Sequence, residues 1–268
     1  MTDLIVDGNS LYARSWFAVS KDAPNPEAAA SLVLTTVLKL LTTDRIGVPF
    51  HRTLFCWDGH QNIRKNRQPK PPEYHATLNS VREILSLLLG TAHAIPARHE
   101  GDDAVATAIF RSPPENKIYI VSGDKDLTQL VGGNVRYYCL NNKAVLSHSF
   151  ITTKWHIKQP NQVSIALAIL GDRVDNIPGI HGWGPKKVKT LFKQVTEDMP
   201  FEQALETIEA QIPDDKREEF YSSLEAILLD PNVPDVPEPS PLVYAKSDVV
   251  EALSMPEVAL AYEYLARR

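Results

Sequence analysis

The chain has 268 residues, 43% of them hydrophobic, and carries a formal net charge of −5. This length allows one large core, or a core with an appendage, and no apolar run approaches the roughly 20 residues that a membrane span requires. The start of the chain lacks the basic and apolar segments of a secretory signal, and the two cysteines, Cys56 and Cys139, lie in apolar runs typical of buried free thiols. The sequence therefore argues against a membrane protein or a disulfide framework and favours a reducing cytoplasm.

Short apolar runs alternate with stretches of helical spacing along the first 140 residues. The pattern predicts strands at 4–6, 53–57, 117–122 and 135–140, and helices at 27–41, 77–89, 102–110 and, as a short piece, near Leu127. Such alternation indicates an α/β fold with a mainly parallel sheet covered by helices. In sheets of this kind, ligands bind beyond the carboxyl ends of the strands.

The pattern becomes helical after about residue 150, with helices predicted at 161–170, 185–195, 201–212 and 214–229. Five prolines between 231 and 241 then predict an extended segment that leads to a last helix at 256–266. We accordingly divide the chain into a core at 1–150, a helical region at 151–230, and a Pro-rich linker with a C-terminal helix packing back at 231–268.

Acidic residues follow three of the predicted strands. Asp7 follows the first strand, Asp58 the second, and Asp124 with Asp126 the third. Because parallel strands end at one edge of a sheet, these carboxylates are expected to converge there. Asp172 and Asp175, three residues apart in a turn after an apolar helix, can point the same way.

Three further acids, Glu100, Asp102 and Asp103, stand at the start of a predicted helix. Capping is an alternative explanation for each of them, since the helix dipole favours acids at that place. Taken together, however, unpaired carboxylates at one sheet edge repel one another, and hard Mg²⁺ or Mn²⁺ ions relieve that repulsion with oxygen ligands. Two such ions roughly 4 Å apart activate water and stabilise a leaving oxygen in phosphodiester cleavage.

Two stretches are basic although the net charge is negative. The first, at 60–75, holds Arg64, Lys65, Arg67 and Lys70 against Glu73 alone; the second, at 176–196, has no acid and holds Lys186, Lys187, Lys189 and Lys193. Local basic stripes on an acidic chain suit a nucleic-acid enzyme whose carboxylates are offset by bound metal.

Five segments resemble, in chain order, the flap-endonuclease and 5′-nuclease family, which includes the N-terminal nuclease domain of bacterial DNA polymerase I and stand-alone bacteriophage relatives. They are Leu-Ile-Val-Asp-Gly-Asn-Ser-Leu at 4–11 with Arg14 after it, Phe-Cys-Trp-Asp at 55–58, Glu-Gly-Asp-Asp at 100–103, Ser-Gly-Asp-Lys-Asp-Leu at 122–127, and Gly-Asp-Arg-Val-Asp-Asn-Ile-Pro-Gly at 171–179. The similarity covers about residues 3–195 and implies a PIN-like sheet.

By this resemblance all nine metal-ligand positions are acidic here. Asp7, Asp58, Glu100 and Asp102 would surround one ion, and Asp124, Asp126, Asp172 and Asp175 the other, with Asp103 nearby and acting through water. Family members act on DNA at 5′ flaps and 5′ ends, RNA-primed ends being a further candidate. The resemblance implies a Mg²⁺-dependent monomer in the cytoplasm of a bacterium, or of the host of a bacteriophage.

The glycine-rich turn at 179–187 opens a lysine-bearing helix. Glycines let phosphates approach backbone N–H groups, and a helix N-terminus favours an anion. In the family this is the helix–three-turn–helix element, similar to helix-hairpin-helix motifs, which holds duplex DNA without reading bases. The predicted DNA-binding residues are Gly182, Gly184, Lys186, Lys187, Lys189, Arg14 and Lys70.

The basic stretch after Asp58 resembles the base of the helical arch, near 59–76, through which relatives thread a single strand. The family carries Tyr-Lys-x-x-Arg there; Ile63 and Arg64 replace the first two residues, and Arg67 matches the last. Arg64, Arg67 and Lys65 are predicted to stabilise the developing charge on the scissile phosphate, so Arg64→Ala is expected to lower the cleavage rate more than the affinity. The short linker indicates a reduced arch.

The sequence therefore predicts a divalent-metal-dependent 5′-3′ exonuclease or flap endonuclease. A PIN-type ribonuclease is one alternative, although the lysine-bearing turn and the Asp172–Asp175 pair speak against it. A non-catalytic protein that binds DNA structures is the other, and the complete acidic set speaks against that.

Overall fold

The computed structural model describes residues 1–20, 23–42, 46–59 and 70–242. The predicted catalytic residues Arg64, Lys65 and Arg67, most of the arch segment, and the predicted helix at 256–266 lie outside these residues. Within them, no helix is long and apolar enough to cross a membrane.

A seven-stranded sheet forms the centre of the molecule, in the order β3-β2-β1-β4-β5-β6, with β7 paired to β2. The strands are β1 Thr2–Asp7, β2 Arg52–Cys56, β3 Ala92–Ala94, β4 Lys117–Ser122, β5 Val135–Cys139, β6 Ala144–Leu146 and β7 Ser240–Pro241. The first five strands pair in parallel, and β6 and β7 run antiparallel to their neighbours. Every residue of β1 is buried, as expected for a central strand covered on both faces.

Nine α-helices lie in the described residues. They are α1 Gly8–Val19, α2 Pro26–Thr42, α3 Pro72–Leu89, α4 Gly101–Arg111, α5 His148–Trp155, α6 Val163–Leu170, α7 Pro185–Leu191, α8 Phe201–Glu209 and α9 Asp214–Ile227. Apolar side chains of α1, α2 and α3 pack with one face of the sheet, and those of α4 and α6–α9 pack with the other. The predicted α/β sheet flanked by helices is therefore confirmed.

The helical region shares one hydrophobic cluster with the sheet. Ile5 and Ile120 of the sheet belong to the same cluster as Ile165 of α6 and Phe220 of α9. The boundary predicted at residue 150 falls inside α5, which begins at His148. The division into a core and a helical DNA-binding region stays a prediction.

Several elements differ from the sequence-based expectation. The helix predicted over 185–195 ends as α7 at Leu191 and continues as a 3₁₀ turn at Phe192–Gln194. The Pro-rich segment is not helical, as predicted, but turns at 231–232 and 234–235 interrupt it, and its end adds β7 to the sheet. Cys56 and Cys139 are buried free thiols, which confirms that prediction.

Candidate active site

The carboxyl edge of the sheet opens into a cavity of about 770 Å³. Five of the nine predicted metal ligands line it: Asp7, Asp58, Asp102, Asp124 and Asp175. Their convergence follows from topology, because β1 lies between β2 and β4 and all three strands end at this edge. The other four acids, Glu100, Asp103, Asp126 and Asp172, are buried beside it.

Asp7 is the most buried acid of the cavity, with 3% of its surface exposed. Its Oδ1 accepts a 2.9 Å hydrogen bond from the Ser10 amide, which caps α1, and its Oδ2 accepts a 2.5 Å bond from the Ser122 hydroxyl. The pKa of Asp7 is raised to about 7, chiefly by burial; the two hydrogen bonds act to lower this pKa, and the charges of Asp124 and Asp58 act to raise it. A cation bound nearby would stabilise the charged carboxylate further.

Asp58 is held from two sides. Asn9 at the start of α1 donates from Nδ2 to Asp58 Oδ2 at 2.6 Å, and its Oδ1 accepts from the Asp58 amide at 3.1 Å. The Gly101 amide, at the N-terminus of α4, donates to Asp58 Oδ1 at 2.9 Å. These contacts fix the carboxylate at the cavity wall.

Asp103 occupies a different place from the cavity-lining acids. Its Oδ2 accepts from the Glu100 amide at 3.3 Å, and its Oδ1 accepts from the Asp230 amide at 2.9 Å. Both oxygens thus bind backbone amides, one within the α4 cap and one on the segment after α9. The capping explanation therefore describes the observed contacts of Asp103, and a role toward a metal stays a prediction.

Asp126, Asp172 and Asp175 form a compact cluster. One carboxylate oxygen from each lies within 4.8 Å of the others, and Asp126 and Asp172 are buried. Asp172 and Ile177 exchange two backbone hydrogen bonds of 2.8 and 2.7 Å, which close the turn that carries Asp175. Gly171 permits this turn: its φ is +73°, and a Cβ there would stand 2.6 Å from the Ile177 carbonyl oxygen. Three hard oxygen donors at this spacing suit Mg²⁺ or Mn²⁺.

Lys125 lies against this cluster and was not singled out by the sequence pattern. Its ammonium group donates a hydrogen bond to Asp172 Oδ2 and lies 4.0 Å from Asp126 Oδ1. Burial by itself raises the pKa of Asp172, but the bonds from Lys125 and from the Val174 amide outweigh it and hold that pKa below its usual value. Lys125 therefore offsets part of the negative charge of the cluster when no metal is bound.

The predicted DNA-binding cations fall into two groups. Arg14 and Lys70 line the cavity together with the acids, and Arg14 also bonds Asn141 Oδ1 on the β5–β6 hairpin. Lys186, Lys187 and Lys189 lie on α7, on a surface separate from the cavity lining.

The lysine-bearing turn leaves space for a phosphate to approach its backbone. Nothing lies within 4 Å of a Cβ built at Gly182 or Gly184, and Gly182 has a φ of +79°. Lys186 and Lys189 are exposed. Trp183 packs against the hydrophobic cluster, and Lys187 Nζ lies 4.4 Å from the centroid of its ring, so Trp183 anchors the turn to the core.

Sequence reasoning missed the residues that orient the carboxylates. Ser122 donates to Asp7 and accepts from the Asp124 amide at 2.8 Å, and Tyr137 donates to the Ser122 and Asp124 carbonyls at 3.0 and 2.6 Å. Asn9 and Ser122 stand within two residues of a predicted ligand, so adjacency was an available signal. Tyr137 lies on the neighbouring strand β5, and no feature of the sequence pointed to it.

The protein has a PIN-like fold, with carboxylate side chains at the carboxyl edge of its sheet and cations beside them. This combination of fold and site defines its class. The chain belongs to the 5′-3′ exonuclease family, because the family model described as "5'-3' exonuclease, N-terminal resolvase-like domain" matches residues 2–157.

Named relatives agree with this assignment. A 5′-3′ exonuclease of Mycoplasmopsis pulmonis is 32% identical over 196 residues, which cover 70% of this chain and 65% of that protein. DNA polymerase I of Bacillus subtilis is 26% identical over 81% of this chain and 26% of its own length. The chain thus spans less than two thirds of each of these two relatives.

The fold matches that of a solved bacteriophage protein. The structure of bacteriophage T5 D15 flap endonuclease in a complex with DNA and metal ions aligns with a TM-score of 0.61 and 17% identity, over the whole of both chains. At this identity the likeness shows the fold alone.

Proposed function

We propose that this protein is a divalent-metal-dependent 5′-3′ exonuclease and flap endonuclease that hydrolyses DNA phosphodiester bonds at 5′ ends and branched structures. The observation that carries the proposal is the convergence of acids in one cavity, where five of them line the wall, Asp126 and Asp172 cluster with Asp175, and the cations Arg14, Lys70 and Lys125 lie in the same lining. Membership of the 5′-3′ exonuclease family supports the same reaction.

The family pattern assigns the acids to two cation positions, of which the second contains the cluster Asp126, Asp172 and Asp175. Asp7, Asp58, Glu100 and Asp102 would hold one ion, and Asp124, Asp126, Asp172 and Asp175 the other. Mg²⁺ bound there, or Mn²⁺ in its place, would supply an activated water and charge compensation for the phosphodiester. The metal ions in the bacteriophage T5 neighbour's structure are in line with this proposal.

The protein's own groups position these carboxylates and attract the substrate. Ser122 and Asn9 hold Asp7 and Asp58 in place, while Arg14 and Lys70 give the cavity the charge that attracts phosphates. The scissile phosphate would be stabilised by Arg64, Arg67 and Lys65. Hydrolysis of the phosphodiester bond would leave a 5′-phosphate and a 3′-hydroxyl. Lys186, Lys187 and Lys189, with Gly182 and Gly184, would hold duplex DNA on the separate surface of α7.

The direct test is cleavage of matched flap, nicked, blunt and single-stranded substrates, titrated with Mg²⁺ and with Mn²⁺. Metal-dependent release of 5′-terminal products from DNA is expected. Cleavage of RNA only would favour a PIN-type ribonuclease, and structure-selective DNA binding without cleavage in either metal would favour a binding protein.

Asp124→Asn tests the centre itself. Asp124 Oδ1 accepts the Asp126 amide at 3.0 Å, and an asparagine retains that acceptor while it removes the charge. Cleavage is expected to fall at least about 100-fold, in the range seen when one charge-stabilising group is removed, while DNA binding in a mobility-shift assay survives. Asp215→Asn, at an exposed position in the first turn of α9, is the matched control. Near-wild-type turnover by Asp124→Asn contradicts the assignment.

A further inference from the structure

One wall of the cavity is apolar. Leu146 of β6, Phe150 of α5 and Val174 of the turn after α6 line it, and we call these three residues the apolar wall. Phe150 is 45% exposed and Val174 is 82% exposed. Single exposed apolar residues are ordinary, but these three come from separate segments and line the same cavity as the acids, where a ligand that enters the cavity can cover them.

Phe150 presents a free aromatic surface. Among the described residues, no ring and no cation contacts it, whereas Phe17 in the same cavity has Lys70 Nζ 4.7 Å from its ring centroid. Lys154 lies one helical turn after Phe150 on α5 and lines the cavity too. Residues four apart share one face of a helix, so α5 presents both residues to the cavity, and the Lys154 ammonium group lies 5.0 Å from the centroid of the Trp155 ring.

We propose that the apolar wall is a stacking site for an unpaired base of the DNA strand that enters the cavity, with Lys154 contacting a neighbouring phosphate. This inference rests on the proposed function and adds a subsite to it. An aromatic ring with a nearby cation is the general means of binding single-stranded nucleic acid, because every base has a flat apolar face and every linkage a charge.

Charge complementarity selects the occupant. The lining carries five carboxylates together with the cations Arg14, Lys70, Lys125 and Lys154. When the carboxylates hold metal ions, as proposed above, these cations are left to bind an anion, so the ligand that covers the apolar wall is a polyanion with flat apolar groups. A base inside a duplex is stacked on both faces and paired at its edge, and it has no face left for Phe150. The subsite therefore favours ends and junctions that carry unpaired nucleotides.

The experiment measures stacking directly, in the Asp124→Asn background with Mg²⁺ so that the DNA is not cut. The probe is an oligonucleotide with 2-aminopurine in a single-stranded 5′ arm, and its fluorescence falls when the base stacks. Phe150→Ala is expected to abolish most of the quenching and to weaken binding about tenfold, within the range for loss of one stacked base. Phe150→Trp should retain both, and Lys154→Ala should weaken binding but leave the quenching at saturation.

The controls isolate the subsite. Phe110→Ala removes a more exposed phenylalanine, 71% exposed on α4 and away from the cavity lining, and should change neither readout. Affinity for a blunt duplex should stay within twofold in Phe150→Ala. Unchanged quenching in Phe150→Ala, or an equal loss of affinity for blunt duplex, overturns the inference.

The two proposals fail separately. Phe150-dependent quenching in a chain whose native form cuts no DNA supports the stacking site and refutes the nuclease assignment. Efficient cleavage by the native form, with quenching that does not depend on Phe150, refutes the stacking site alone.

Discussion

Asp7 has two roles in the structure. It caps α1 through the Ser10 amide and also faces the cavity through a carboxylate that Ser122 orients. A single aspartate does both because the carboxyl end of β1 is also the N-terminus of α1. Capping and a site role are thus compatible at this position, whereas the two oxygens of Asp103 are both taken by backbone amides.

The raised pKa of Asp7, about 7 against a usual 3.8, predicts a pH-dependent stability. Between these values the folded state holds a proton that the unfolded state has lost, so the free energy of unfolding falls as pH rises through this window. Asp7→Asn mimics the protonated acid and should raise the melting temperature of the metal-free protein at pH 8, but give no gain near pH 4.

Thermal unfolding in EDTA, compared with unfolding in excess Mg²⁺, measures this effect. At roughly 1.4 kcal/mol per pKa unit, the gain at pH 8 is on the order of a few kcal/mol. Mg²⁺ should then stabilise the native chain more than the variant. A lower melting temperature for Asp7→Asn at pH 8 in EDTA would refute the prediction.

Lys125 predicts a competition between its ammonium group and a metal ion. The side chain offsets Asp172 and lies near Asp126, so Lys125→Met leaves the three-carboxylate cluster more negative. Mn²⁺ affinity, measured by calorimetry, should rise several-fold, and the metal-free protein should melt at a lower temperature because buried carboxylates lose their partner.

Lys189→Met, at an exposed position on α7, is the matched control and should leave both quantities unchanged. Weaker Mn²⁺ binding by Lys125→Met would mean that the lysine supports the ion rather than competes with it.

At the scale of elements, the two ends of β1 carry acidic residues with different surroundings. Its carboxyl end carries Asp7 at the cavity, and its amino end carries Asp3, which is fully buried and forms a two-bond ion pair with Arg52 of β2 at 2.8 and 2.6 Å. The two strands are in register there, with Asp3 opposite Arg52. An acid at the amino end is thus structural, and an acid at the carboxyl end is available to a ligand.

Arg52→Met should therefore destabilise the fold without altering the centre. Loss of Arg52 leaves the fully buried Asp3 carboxylate without its ion-pair partner. Because Arg52 itself is 19% exposed, the cost, which urea unfolding measures, should lie at or below the value of about 3–5 kcal/mol for a fully buried pair. The double variant Asp3→Asn with Arg52→Met should recover part of that loss, while cleavage per folded molecule stays unchanged in both. A double variant less stable than Arg52→Met would show that the buried charge is not the cause.

At the scale of the whole molecule, periodicity predicted the parallel sheet and the edge at which Asp7, Asp58 and Asp124 meet, because strand ends and parallel pairing fix that edge. It did not predict β3, which is three residues long, or β7, whose two residues include a proline. Such short pieces have no measurable alternation, and only contacts distant in sequence place them.

The same limit applies to the site. Ligand positions followed from strand ends and from the family resemblance, but Tyr137, Phe150 and Lys154 reach the cavity from β5 and α5. Their positions depend on how the β5–β6 hairpin and α5 pack, which spacing along the chain does not encode.

The placement of β7 bears on self-association. Open strand edges recruit strands from other molecules, and β2 has its amino-terminal half facing β7 and its carboxyl-terminal half facing β3. Pro239 and Pro241 flank Ser240 in this short strand, and proline has no N–H to offer a further strand. On that side of the sheet, β7 therefore offers few N–H groups to a strand from another molecule, which disfavours edge-to-edge aggregation.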